Sequence, residues 1–188
     1  MIKYRMLAIG GSAGSLDVIL KIVTVLPFIS HLATVIIVHR KNDGESILTD
    51  LLSTRTKLAV KEIEDKEAIT GGTIYIAPAD YHLLIENEKM FSLDASEKVH
   101  HSRPSIDVSF ESVAEVFGIS AIGVLLSGAN ADGAAGLSNI KQANGFTIVQ
   151  DPASAEVGYM PQQALEQMKP DKILSGDVIG EFIRELVQ

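Results

Sequence analysis

Met6-Leu7-Ala8-Ile9-Gly10-Gly11-Ser12-Ala13-Gly14 begins as an apolar strand, read over residues 5–9, and passes into a glycine-rich turn. Leu16, Ile19, Leu20, Val23 and Leu26 then share one helical face until Pro27 ends the period. Strand, tight turn and amphipathic helix in that order form the first half of a βαβ unit, and the rest of the chain repeats the pattern. Further apolar strand runs occupy residues 33–38, 58–63, 73–77, 121–126, 146–149 and 172–174. Helical patterns occupy residues 45–53, 104–117, 133–142, 161–168 and 177–187. Residues 82–86 and 89–93, separated by Asn87 and Glu88, read as an antiparallel hairpin. The alternation predicts an α/β, doubly wound fold: a largely parallel sheet with helices on both faces and one antiparallel hairpin.

Composition narrows the function classes. With 188 residues, 46% of them hydrophobic and 21% charged, the chain can bury one sizeable core, so one domain over residues 1–188 is expected. The longest clean apolar runs are too short to cross a bilayer and no leader is visible, which predicts a cytoplasmic protein that is not membrane-embedded. The absence of cysteine excludes disulfides, thiolate catalysis and Cys-ligated metal. A formal net charge of -8 without a basic cluster argues against nucleic acid as a partner.

Three strand ends carry the chemistry. Ser12 follows the first strand, His39 follows the run over residues 33–38, and Asp132 lies just past the run over residues 121–126. In an open parallel sheet such ends share one edge, where sites collect. Serine, imidazole and carboxylate together are what nucleophilic acyl transfer requires.

Each of the three also has an ordinary structural role available. Gly10-Gly11-Ser12-Ala13-Gly14 matches GxSxG, in which small neighbours permit a sharp turn that lifts the serine hydroxyl out, with the amide of Ala13 and the next helix N-terminus facing an oxyanion. It also matches a plain strand-to-helix turn or a phosphate cradle. A dinucleotide site is disfavoured, because GxGxxG aligned on Gly10 fails at Ser12 and Ser15 and the second strand ends in His39 rather than an acid. No GK[ST] follows any glycine-rich turn. A lone strand-end histidine commonly makes a local backbone bond, and Asp132 is a preferred type for capping the helix that follows it. His100 and His101 lie in a polar connector without a partner at ligand spacing, so no metal site is expected there.

Taken together, Ile9-Gly10-Gly11-Ser12-Ala13-Gly14, Val38-His39, Tyr75-Ile76-Ala77-Pro78-Ala79-Asp80-Tyr81-His82-Leu83, Arg103-Pro104-Ser105-Ile106-Asp107, Leu126-Ser127-Gly128, Asp132-Gly133-Ala134, Gln150-Asp151 and Met160-Pro161 resemble the catalytic domain of the CheB chemotaxis methylesterases. The motifs follow the family's order from about Leu7 to the C-terminus. The resemblance implies hydrolysis of glutamate methyl esters on the cytoplasmic helices of chemoreceptors, often with glutamine deamidation, and requires no cofactor and no metal. By position Ser12 is implied as nucleophile, His39 as base and Asp132 as third member. Backbone amides near Ala13 and Ala129 are expected to meet the oxyanion, and Arg103 to contact an acidic receptor helix or simply to start a helix beside Pro104. The chain departs from the family's usual Ser-Thr-Gly-Gly with Ser12-Ala13-Gly14-Ser15, and from Thr-Gly-Met-Gly with Ser127-Gly128-Ala129-Asn130. The 188 residues leave no room for the family's receiver domain beside the catalytic motifs, so constitutive activity, or control by a separate regulatory protein, is expected. Two other function classes stay open: a binding or scaffolding module of the same fold with weak catalysis, and a serine hydrolase of another ester or amide.

Overall fold

The computed structural model describes residues 4–40 and 47–188. In chain order the elements are β1 (Met6–Gly11), α1 (Leu16–Val25), β2 (Ala33–Val38), α2 (Ile47–Ser53), β3 (Ala59–Glu62), β4 (Thr73–Ile76), β5 (His82–Asn87) and β6 (Met90–Asp94). They continue with α3 (Ile106–Phe117), β7 (Ala121–Leu125), α4 (Ala134–Gln142), β8 (Phe146–Gln150), α5 (Tyr159–Gln167), β9 (Lys172–Leu174) and α6 (Gly176–Val187). Every expected element is present, with ends shifted by a few residues. The expected start of α2 at residues 45 and 46 lies outside the described residues.

Seven strands form one sheet in the order β3-β4-β2-β1-β7-β8-β9, and every pairing in it is parallel. The remaining two, β5 and β6, make the antiparallel hairpin. From β1 the chain passes to β2, lays β3 at one edge, inserts β4 between them, and after the hairpin returns across β1 to build the other side from β7. The reversal lies between β1 and β7, so the loops after these strands diverge and leave a crevice at their carboxyl ends.

Alternate side chains of each strand serve opposite layers, as a pleated sheet covered on both faces requires. Leu7 and Ile9 of β1 join the apolar cluster that contains Ile19, Ile22 and Val23 of α1 and Ile179 and Ile183 of α6. Met6 and Ala8 join the opposite cluster, with Phe110 and Val113 of α3, Leu137 of α4 and Ala164 of α5. The hairpin contributes Leu83, Ile85 and Phe91 to that second layer, where Phe91 meets Tyr75 edge to face at 4.9 Å. With both faces covered, the sheet's open edge at the strand ends is where polar side chains can reach solvent. Among the described residues, no helix is long and apolar enough to cross a membrane.

Candidate active site

The strand β1 runs on through Gly10 and Gly11, so these glycines are strand residues rather than the turn expected of them. Their lack of a side chain answers to packing. A Cβ on Gly10 would stand 2.4 Å from Ile106 Cγ2, and one on Gly11 would stand 2.6 Å from the Ser15 Cβ. Only with no Cβ can the start of α3 and the turn into α1 approach β1 this closely. The turn itself is closed by Ser15, whose N–H and hydroxyl both donate to the Ser12 carbonyl, at 3.1 and 2.8 Å. Its left-handed residue is Gly14, with φ +77, whereas Ser12 is not among the positive-φ residues. Ser12 therefore opens the sharp turn expected there without itself taking a left-handed conformation. It is anchored across the crevice: its N–H donates to the Ser127 carbonyl at 2.9 Å, and the Ser127 hydroxyl holds the Ala13 carbonyl at 2.7 Å.

His39 follows β2 directly, and its N–H still reaches the Gly11 carbonyl of the neighbouring strand at 3.4 Å. That continuation of the ladder brings the imidazole over β1. Nδ1 lies 3.1 Å from Ser12 Oγ and Nε2 lies 2.7 Å from Asp132 Oδ2. The ring is largely covered, with 13% of the side chain exposed, and Asp132 is fully buried.

Asp132 fills all of its acceptor positions. Oδ1 accepts from the Ser105 hydroxyl at 2.8 Å and the Asp107 N–H at 2.9 Å, while Oδ2 accepts from the Ile106 N–H at 2.7 Å and from His39. Burial pushes this carboxyl up. The hydrogen bonds from His39, from the N–H groups of Asp107 and Ile106, and from Ser105 outweigh it, and the net pKa is lowered. The Ile106 and Asp107 amides are the first of α3, so the helix dipole also favours the anion. An ionised Asp132 needs a donor on its histidine, which fixes the proton on Nε2 and leaves Nδ1 bare toward Ser12. The two ring nitrogens are thus used in the opposite sense to the common serine-protease template.

The expected capping of α4 by Asp132 is not what the chain does. The N-cap of α4 is Gly133, with φ +96, and the Gly133 and Gly136 amides donate to Oδ1 of Asp107, at 2.9 and 2.7 Å. Asp132 caps α3 instead. Burial raises the pKa of Asp107, and the charge of Asp132 pushes the same way, against the amide bonds from Gly136 and Gly133.

Sequence reasoning quoted Ser105, Asp107 and His82 in motifs without giving them roles. Buried His82 accepts the Ser105 N–H on Nδ1 at 3.1 Å and faces the Glu97 carbonyl with Nε2 at 2.9 Å. The Ser105 N–H can only donate, so the His82 proton sits on Nε2. An unbroken chain of bonds therefore runs from the connector at Glu97 through His82, Ser105, Asp132 and His39 to Ser12. A motif match shows that such residues recur together; only the folded path shows that they touch.

The remaining expected residues fall around this line. Ala13 and Ala129 flank the crevice, and their N–H groups donate to no protein acceptor among the described residues. Arg103 does not start α3, whose N-cap is Ser105, and its Nη1 donates to the Ala95 and Ser96 carbonyls, both at 2.7 Å. His100, treated above as partnerless, has Nε2 3.1 Å from Asp107 Oδ2. His100, Asp107 and Asp132 bring ligand-type atoms within 4.8 Å of one another. The Asp132 oxygens and Asp107 Oδ1 are already engaged by N–H and O–H donors, which fits a hydrogen-bond network better than a cation cage.

Two hollows adjoin His39. One, of about 290 Å³, is an apolar slot beside Ser12 lined by Leu16, Ile19, Val38, Leu48 and Leu51. The other, of about 550 Å³, is polar and lies between the ends of β2 and β4 and the connector before α3.

Residues 7–183 match the family described as CheB methylesterase. A protein of Leptospira interrogans, provisionally named a protein-glutamate methylesterase/protein-glutamine glutaminase, is 44% identical over 184 residues, covering 96% of this chain and 94% of that one. The protein-glutamate methylesterase/protein-glutamine glutaminase of Halobacterium salinarum is 33% identical over 186 residues, covering 97% of this chain but 54% of its own length. The crystal structure of the Thermotoga maritima CheB methylesterase catalytic domain superposes with a TM-score of 0.92 at 32% identity, over 99% of this chain and 100% of that one.

Proposed function

The chain belongs to the CheB methylesterase family, and from that premise we propose that it is a protein-glutamate methylesterase that works through Ser12, His39 and Asp132. The observation that carries the assignment is the continuous contact of the three side chains, 3.1 Å from Ser12 Oγ to His39 Nδ1 and 2.7 Å from His39 Nε2 to Asp132. His39 Nδ1 takes the hydroxyl proton as Ser12 Oγ attacks the ester carbonyl, and the buried Asp132 stabilises the imidazolium so formed. The tetrahedral oxyanion is met by the N–H groups of Ala13 and Ala129, a pair of donors worth roughly 3 kcal/mol of barrier each. Collapse of the intermediate expels methanol, which leaves with the proton from Nδ1, and water then hydrolyses the acyl-enzyme by the same steps in reverse.

The same attack on a glutamine side-chain amide releases ammonia, so deamidation needs no further residue. The substrate of this reading is the methylated cytoplasmic domain of a chemoreceptor, a proposal that family likeness supports, and the enzyme would then act in the cytoplasm. Neither a metal nor an organic cofactor enters any step. A fluorophosphonate tests the nucleophile directly: labelling mapped to Ser12, and lost in His39→Ala, is expected, whereas labelling at another serine would overturn the assignment.

A further inference from the structure

The polar hollow beside His39 is lined by Arg40, Asp80, Lys98, His101 and Arg103 together with His39 itself. Its charge is unlike that of the chain, which carries a formal net charge of -8. Arg40 is paired with Glu62. Arg103 is gripped by two main-chain carbonyls, which fix the guanidinium in place without neutralising it. Lys98 makes no salt bridge among the described residues. Against these cations stands the carboxylate of Asp80.

A second observation points to the same place. Among the described residues, the buried side-chain nitrogens and oxygens without a hydrogen-bond partner are Nε of Arg40 and Nε of Arg103. Both arginines line this hollow. A buried N–H that finds no acceptor is rare in a folded chain and calls for a reason. Guanidinium groups are matched to carboxylates, which accept from two N–H donors at once.

The third observation is the backbone that shapes the rim. Val99 and Ser102 exchange N–H to carbonyl bonds of 3.1 and 2.9 Å, so His100 and His101 are the two central residues of a tight hairpin turn. Both have positive φ, +50 and +62, in a turn that usually takes Asn-Gly. Side chains are kept in such positions where their placement is used. The turn directs His100 to Asp107 and puts His101 on the hollow.

We infer that this hollow is an anionic subsite, and that it binds a side-chain carboxylate of a residue flanking the scissile glutamate ester. The inference rests on the esterase reading above. Because the hollow shares His39 with the triad, a carboxylate held there is anchored close to the ester carbonyl, so the preferred substrate is a glutamate methyl ester within an acidic segment rather than in a neutral one.

The test uses the Ser12→Ala protein, so that binding is read apart from turnover. Two fluorescent helical peptides are compared, each with one glutamate methyl ester, one with flanking glutamates and one with glutamines in their place. The acidic peptide is expected to bind tighter by about tenfold at low salt, with the preference shrinking as salt screens exposed charges. Lys98→Glu should reduce that preference about fivefold, the size of one exposed charge pair. Lys98→Arg should retain it. Lys89→Glu, the same charge change on the far hairpin, should leave it where it was. Equal affinity for the two peptides, or a preference that Lys98→Glu and Lys89→Glu reduce alike, would overturn the subsite. Failure of the unsubstituted protein to hydrolyse either peptide, with the binding preference intact, would instead overturn the esterase reading.

Discussion

Asp132 and Asp107 cap each other's helices. Asp132 stands just before Gly133, the N-cap of α4, and yet accepts the first two amides of α3, while Asp107, in the first turn of α3, accepts the amides of Gly133 and of Gly136 in the first turn of α4. The exchange ties Asp132, the proposed third member of the triad, to two helix N-termini at once. It also divides two neighbouring buried carboxyls by charge: the pKa of Asp132 is lowered, its hydrogen bonds outweighing burial, and that of Asp107 is raised chiefly by burial.

These directions give opposite slopes of stability against pH. A carboxyl whose folded pKa is below its unfolded value, about 3.9, contributes stability that is present above that value and lost as pH falls through the folded pKa. Asp132 is of this kind. Asp107, raised, binds its proton more tightly folded than unfolded, so it favours the folded state at low pH and loses that contribution as pH rises from about 3.9 through its folded value. Denaturant unfolding across pH 3 to 7 should therefore show Asp107→Asn gaining on wild type as pH rises, and Asp132→Asn losing ground. Parallel curves for the two variants would contradict the assignment of charges.

Asp132→Asn should lower kcat by about three orders of magnitude or more with little change in KM, because the amide no longer stabilises the imidazolium and no longer selects the Nε2–H tautomer. Steady-state kinetics on a methyl-ester peptide reads both constants. A rate within a few fold of wild type would return Asp132 to a purely structural capping role.

Ser105 and His82 are positioning residues, since neither touches Ser12. Ser105→Ala removes one donor from a buried carboxylate, at a cost of about 1.5–3 kcal/mol, and should slow turnover while leaving KM near its wild-type value. His82→Gln can still accept from Ser105 N–H, so it should retain more of kcat than His82→Leu. Equal losses for Gln and Leu would indicate that His82 only fills space.

Gly10→Ala should be destabilising by about 1–3 kcal/mol, because its Cβ would overlap Ile106 Cγ2 at 2.4 Å. Ile106 is also a donor to Asp132, so the same methyl group should displace the triad and reduce kcat. A variant with wild-type melting and turnover would show that α3 can retreat without disturbing Asp132.

The fold was legible because the information is local: an apolar run of five or six residues, a glycine or polar break, then a helical period. The same locality made Ser12, His39 and Asp132 visible, since each directly follows a strand or lies a few residues past one, and parallel strands place their ends together. What the sequence concealed depends on contacts across the topological reversal. Asp132 reads as the cap of its own helix because Asp is favoured there, and nothing in the local sequence announces that the α3 amides, 25 and 26 positions away, will compete for it. Gly10 and Gly11 likewise resemble a turn until the approach of Ile106 and Ser15 shows that they are strand. Arg103 was legible as a contact for an acidic helix, but the hollow it shares with Arg40 and Lys98 was not, because the three are dispersed in the sequence and come together through loop contacts such as the one in which Asp80 N–H donates to the Arg103 carbonyl.

Whether Ser12 is the nucleophile of a methylesterase is read by methanol release from a glutamate-methylated chemoreceptor cytoplasmic domain, with the purified protein and with Ser12→Ala, and circular dichroism to confirm that both are folded. Steady release is expected from the wild-type protein and none above the spontaneous rate from the variant. Release by folded Ser12→Ala within a few fold of wild type would contradict the assignment.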